Sequence, residues 1–280
     1  MFLKSFEFPS YKCEEEYLNN IRMTCYNTMY PFKILIEKEL NTVDFEPITI
    51  FHGGNGCGKT TVLNVIAEKL KLKRFSLYNR SNFFDEYLKF CDNFKLNDIT
   101  STSKIITSDD VFDYMIDMRY LNEGVHRERE KIFDEYTKIK NENYSFDSLD
   151  DYENLKKRNT VKKTTKSKFV SSNLNSNINQ KSNGENAYLY FVENIVENGL
   201  YILDEPENSL SPENQLKLVS FIEESVRFFN CQFIISTHSP FLLALKDAKI
   251  YDLDKSPSVI CNWKELDNIK IYEKFFREKF

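Results

Sequence analysis

Gly53, Gly54, Asn55, Gly56, Cys57, Gly58, Lys59, Thr60 and Thr61 follow one another and satisfy the spacing G-x-x-x-x-G-K-[ST] through Gly53, Gly58, Lys59 and Thr60. Glycines free the backbone to wrap its N–H groups around phosphate oxygens. A helix starting at Lys59 would add a favourable field for that negative charge. Lys59 is placed to reach the β- and γ-phosphates, and Thr60 to put its hydroxyl on Mg²⁺. ATP and Mg²⁺ are the ligands this loop predicts.

Two further groups could complete that chemistry. The apolar run before Asp204 and Glu205 reads as a strand ending in two acids that point in different directions. Asp204 would hold Mg²⁺ through its water shell, while Glu205 would orient and deprotonate an attacking water. His238 stands just past a second apolar run, between Thr237 and Ser239. It reads as a γ-phosphate contact that also steadies the water. His52, next to the glycine loop, reads as structural, and His126 as a solvated helix residue. Ser182, Asn183, Gly184 and Glu185 offer a cap, a turn and an acid at the start of a helix.

These residues need strands and helices in a set order. Phe2 to Phe8 reads as a strand, with Phe32 to Glu37 and Val43 to Phe45 as shorter candidates. Ile48 to Phe51 is a charge-free β-rich run, hence a buried strand. Val62, Leu63, Ile66, Ala67 and Leu70 then recur at helical spacing. Ser108 is the predicted cap of a helix bearing Val111, Met115 and Met118, and 127–140 continues in helical pattern. Ser211–Pro212 and Ser239–Pro240 are two further helix starts. Strands are predicted at 200–203 and 231–236, a late pair at 250–254 and 258–262, and a closing amphipathic helix at 272–280.

Composition narrows the class. The chain has 280 residues, 41% of them hydrophobic, enough for a core. The net charge of -5 is unlike that of a basic nucleic-acid coat, but it is unevenly spread. Lys156, Lys157, Arg158, Lys162, Lys163, Lys166, Lys168 and Lys181 fall in the stretch 154–184, which contains no acidic residue. That stretch reads either as a solvated loop or as a contact surface for a polyanion such as DNA or RNA. The six cysteines include no CxxC pair and the three histidines do not cluster, so free thiols in a reducing cytoplasm are expected. No apolar run is long enough to span a membrane, and the N-terminus alternates like a strand instead of a signal peptide.

In their order, GGNGCGKT, SNGE, YILDEPE, ENSLSP and STHSP resemble the five motifs of soluble ABC-type ATPases of the SMC/RecF/Rad50-related kind, specifically the small AAA-family forms without coiled-coil arms. The resemblance implies an α/β P-loop NTPase: an ABC-type head with a mixed central sheet, an N-terminal antiparallel β portion and a helical lobe. It implies one head over 1–280, with a lobe and basic insertion at 78–181 that is flexible from about 141. It also implies that two subunits sandwich ATP, with Ser182, Gly184 and Glu185 contacting nucleotide bound to the other subunit. Asn208 to Leu210 would cross the seam. SNGE differs from the LSGGQ of transporter subunits, which favours a nucleic-acid-linked or effector-linked role, such as genome maintenance or phage defence, over a membrane transporter. A weakly hydrolysing ATP-binding scaffold is the other alternative, against which Glu205 argues. No glutamine stands where the family's Q-loop belongs; Asp109 or Asp110 is the substitute the sequence offers. Asp252 and Asp254 form a DxD pair without the acids of a metal nuclease.

Overall fold

The computed structural model describes residues 1–21, 28–141, 156, 160–161, 163–173 and 183–279. Two compact units are present: Met1–Asp113 with Asn183–Phe280, and Tyr114–Ser182.

In chain order the first unit begins with β1 (Leu3–Glu7), α1 (Tyr11–Asn20), β2 (Thr42–Asp44), β3 (Ile48–His52) and α2 (Lys59–Lys69). It continues with α3 (Phe84–Phe90), β4 (Asp92–Lys95), β5 (Lys104–Thr107) and the start of α4 (Ser108–Asn141). The second unit contains the rest of α4 and α5 (Lys166–Asn173). The first unit resumes with α6 (Asn183–Asn194), β6 (Leu200–Asp204), α7 (Pro212–Phe228), β7 (Gln232–Ser236), α8 (Pro240–Leu243), β8 (Lys249–Asp252), β9 (Val259–Cys261) and α9 (Asp267–Lys279).

Two sheets form. The larger runs β5-β6-β7-β3-β8-β9; its strands are parallel except β9, which pairs antiparallel with β8. The smaller, β2-β1-β4, is antiparallel. All five positions of β3, β6 and β7 are buried, which is why each reads as a continuous apolar run and not as an alternation. Gln232, wholly buried on β7, joins the sheets: its carbonyl accepts from the amides of Phe2 and Leu3 (2.7 and 2.9 Å) and its amide donates to the Leu3 carbonyl (2.8 Å). One core of Phe2, Leu3, Phe6, Phe45, Phe51, Leu63, Ile66, Ile202 and Ile234 spans both sheets and α2. The mixed central sheet, the N-terminal antiparallel sheet and the late β8–β9 hairpin agree with the sequence reading.

Several local expectations are corrected. Phe32 to Glu37 is not a strand: it is a turn followed by a 3₁₀ turn at Ile36–Lys38, with Lys33 at φ 68°, outside the β region. The cap of α4 is Thr107 and not Ser108. The Thr107 amide donates to Asp110 Oδ2 (2.7 Å), and the Asp110 amide donates to Thr107 Oγ1 (3.3 Å), a reciprocal capping box. Strands β4 and β5 were not marked in the sequence. They pair with β1 and β6, within the unit that contains residues up to Asp113. Within the basic insertion, 166–173 is helical, because Val161 and Phe169 cover Tyr136 in a small core of that unit. The segment 142–155 and four of the eight basic residues, Lys157, Arg158, Lys162 and Lys181, lie outside the described residues. The closing helix starts at Asp267, five residues before the predicted Tyr272. None of the described helices is long and apolar enough to cross a membrane.

Candidate active site

Parallel register brings the chemistry to one rim. Asp204 ends β6 opposite Ser236, which ends β7, while His52 ends β3 opposite Asp252 of β8. The loop 53–58 leaves β3 at this rim and returns as α2. Two glycines are demanded by geometry. A Cβ on Gly53 would stand 2.6 Å from Cys57 Sγ, and Gly58, the N-cap of α2, has φ 103°.

Lys59 is only 4% exposed, so its ammonium must be fully hydrogen-bonded. Its three protons have three acceptors: the carbonyls of Gly53 (2.8 Å) and Gly54 (3.2 Å) and His238 Nε2 (2.7 Å). Glu205 Oε1 lies 3.6 Å from Lys59 Nζ and 3.4 Å from His238 Nε2. The shorter lysine contact assigns Nε2 as an acceptor and the imidazole as neutral. Burial first, and the Lys59 charge second, push the His238 pKa below its ordinary value, in keeping with that form.

Thr60 Oγ1 donates to Asp204 Oδ1 (3.3 Å), and Ser236 Oγ donates to the same oxygen. Asp204 is 8% exposed, and burial raises its pKa against the pull of these two hydroxyls. A cation beside it would remove that penalty. The hydroxyl–carboxylate donor set is all hard oxygen and fits Mg²⁺, so Thr60 and Asp204 would hold it there. Glu205 adopts the left-handed conformation, φ 49° and ψ 54°, which for a residue with a Cβ costs roughly 1–2 kcal/mol. Its amide is held by the carbonyl and hydroxyl of Ser236 (both 3.1 Å), and Asn208 Nδ2 donates to Oε2 (3.0 Å). The turn thus aims the Glu205 carboxylate at Lys59 and His238 while Asp204 faces Thr60.

Gly184 stands elsewhere. A Cβ on it would meet Asn214 and Ser211 at the start of α7, and no atom of residues 53–61 lies within 4 Å. Glu185 is exposed next to it. Ser182 lies outside the described residues. His52 is buried with Nδ1 3.3 Å from the Thr237 carbonyl, a structural position as expected, and His126 is exposed on α4. Asp110 is buried as the acid of the Thr107 capping box and keeps Oδ1 without a hydrogen-bond partner, whereas Asp109 is exposed. One ligand atom each from His52, Asp252 and Asp254 falls within 4.8 Å of the others. Asp254 is engaged by the loop itself, accepting from the Gly54 amide (2.6 Å).

Three residues are unmarked in the sequence reading: Ser236, Glu207, which accepts from the His238 amide (2.6 Å), and Gln215, which accepts from the Ser239 hydroxyl (2.6 Å). Ser236 was in principle readable, being the last residue of an apolar run like the one that ends in Asp204. The others depend on long-range contacts that no spacing encodes.

Residues 184–243 match the family model of the AAA ATPase domain, a span that includes Asp204, Glu205 and His238. No curated protein matches the chain. Among solved structures, the SMC head of Pyrococcus furiosus, bound to the C-terminal domain of ScpA, is 13% identical with a TM-score of 0.48, covering 98% of this chain and 99% of that one. The SMC head of Thermotoga maritima is 13% identical at 0.40, over 94% and 99%. The dimeric ATP-binding cassette MJ0796, bound to ADP and Pi, is 13% identical at 0.37, over 81% and 91%. At these TM-scores the likenesses add no weight to the motifs.

Proposed function

We propose that this chain, a small P-loop ATPase of the AAA/ABC type, hydrolyses ATP with Mg²⁺ in a site completed by a second copy of itself. The observation that carries the reading is the convergence of Lys59 Nζ, Glu205 Oε1 and His238 Nε2, each within 3.6 Å of the other two, beside the Thr60–Asp204 pair. Such a cluster holds a base, a cation and a neutral imidazole around one point, the set needed to bind a terminal phosphate and activate water. Lys59 exchanges its backbone and His238 acceptors for phosphate oxygens. Glu205 then takes the proton of the attacking water, and His238, released from Lys59, takes a proton from solvent on Nε2 as its Nδ1 proton leaves to solvent, and donates from Nε2 to the terminal phosphate. Mg²⁺, when bound, neutralises charge on the phosphate oxygens.

The place of Gly184 against α7, away from its own phosphate loop, supports action of Ser182, Gly184 and Glu185 on nucleotide held by the other subunit. Closure on ATP and opening after hydrolysis would then drive a process on nucleic acid or on an effector protein, such as genome maintenance or phage defence. The eight basic residues of 154–184 support a polyanion contact there. The protein is read as cytoplasmic.

The test is turnover and oligomeric state of wild type and Glu205→Gln, with ATP, with and without Mg²⁺. Mg²⁺-dependent turnover by wild type is expected to fall ~10²–10⁴-fold in Glu205→Gln, with an ATP-dependent dimer that persists longer. Equal rates in the two proteins would overturn the assignment of Glu205. A chain lacking 154–181 whose nucleic-acid affinity and stimulation match wild type would remove the polyanion role.

A further inference from the structure

The 3₁₀ turn Pro206–Ser209 that follows Glu205 carries a second acid, Glu207, which the ATPase reading above leaves without a task. Its carboxylate does not point to solvent. Oε1 accepts from two backbone amides on another loop, that of His238 at 2.6 Å and that of Ser239 at 3.2 Å. Oε2 is buried with no hydrogen-bond partner. Burial accordingly raises the Glu207 pKa, and the amide of His238 opposes the rise.

A carboxylate with one orphaned oxygen is an expensive way to cap a helix. It is also redundant as a cap, because α8 has its own: Ser239 Oγ accepts from the amides of Phe241 (3.2 Å) and Leu242 (3.4 Å) and is itself tied to Gln215 Oε1 (2.6 Å). What Glu207 adds is a hold on the residue before the helix, His238. The same short turn also holds Asn208, whose amide group donates to Glu205 (3.0 Å). One five-residue segment, Glu205 to Ser209, therefore presents the base, orients it, and grips the backbone of the histidine that faces it.

We propose that Glu207 is a positioning residue which locks the His238 backbone to the Glu205 turn, so that the base and the histidine reach the terminal phosphate as one unit. This rests on the ATPase reading of the site. Because Glu207 meets the amides of His238 and Ser239 and the Thr237 side chain beside them, none of them a group assigned to ATP, its loss misplaces His238 without removing any group that binds ATP. The effect belongs on the chemical step. Glutamine keeps an acceptor oxygen at Oε1 and places its NH₂ where Oε2 already has no partner, so it should largely preserve the lock.

The experiment compares wild type, Glu207→Ala and Glu207→Gln in steady-state ATP hydrolysis and thermal unfolding, with the ¹H–¹⁵N spectrum of the His238 amide. Glu207→Ala is expected to lower kcat ~10–100-fold with KM for ATP within about 2-fold, and Glu207→Gln to recover most of kcat. In wild type the His238 amide proton should resonate far downfield, as a short bond to a carboxylate requires, and move upfield in Glu207→Gln. A kcat in Glu207→Ala equal to wild type overturns the proposal. So does a folded Glu207→Gln as slow as Glu207→Ala, or an ordinary His238 amide shift in wild type. Should Glu207→Ala not fold, Glu207→Gln and the amide shift decide. Absence of turnover in wild type counts against the ATPase reading instead, and the amide shift still tests the contact.

Discussion

At the rim of β3, β6 and β7, strands buried at every position end in Asp204, Ser236 and His52, and the side chains beyond them meet at distances fixed by register. The unit Tyr114–Ser182 is built differently. Its described core is Tyr136, Val161 and Phe169, with Ile132 and Ile139 packed against them. The head buries whole side chains by the dozen, each contributing about 1.5–3 kcal/mol, while among the described residues the second unit has a handful. Strain such as that of Glu205 survives only where surrounding structure over-determines it, and the rim supplies that support.

The sharpest way to break this contrast is at the rim. Lys59→Ala removes the charge at the centre of the cluster, and ATP turnover is expected to fall at least ~100-fold; measured turnover near wild type would show that the cluster is not the working site. Next come paired core truncations. Ile234→Ala on wholly buried β7 should cost about 2–5 kcal/mol in denaturant unfolding of the head. Phe169→Ala should instead raise hydrogen exchange within 114–182 and leave ATP turnover within about 2-fold. If Phe169→Ala slowed turnover as much as a rim substitution, the second unit would have a catalytic share.

Asp204 sharpens the same contrast through stability. Burial raises its carboxyl pKa, so the ionised form costs the folded state stability above that pKa, and the cost is relieved as pH falls from there to below the ordinary carboxylate value. Asp204→Asn keeps an oxygen to accept from Thr60 and Ser236 but carries no charge. Without nucleotide its Tm near neutral pH should exceed that of wild type by about 2–4 °C. The gap should close on acidification, and stabilisation by Mg²⁺ with ATP should be lost. A lower Tm would mean that the carboxylate is needed for the fold itself.

The smallest effect is a titration. His238 should titrate below the ordinary histidine value of about 6.5 in NMR. Glu205→Gln, removing a stabilising anion, should lower it further. Lys59→Ala, removing a repelling cation, should raise it. Shifts of the same sign in both variants would contradict the arrangement in which Lys59 donates to Nε2.

Much of this was legible in residue order. The glycine loop, the acids after 200–203 and His238 after 231–236 were found from motif and strand context, because nucleotide sites form at the ends of parallel strands. Helix starts at Ser211 and Ser239 were equally plain, since Ser–Pro is a local signal, and both side chains cap as expected. The misses share a cause. β4 and β5 are four residues each and become strands only by pairing with β1 and β6. Phe32 to Glu37 has strand-like composition, yet its buried Phe32 and Leu35 are reached through a turn.

Local covalent chemistry, read from the sequence alone, singled out the candidate residues: glycines in a loop suited to phosphate, a lysine at the head of a helix, acids and a histidine at strand ends. Only the tertiary structure decided how those residues are held. Lys59 shares its protons with His238, Ser236 grips both the Asp204 carboxylate and the Glu205 amide, and Glu207 reaches across to the His238 backbone. Those contacts join residues 31 to 179 positions apart, and only the packing of parallel strands in register brings such distant positions within hydrogen-bond reach.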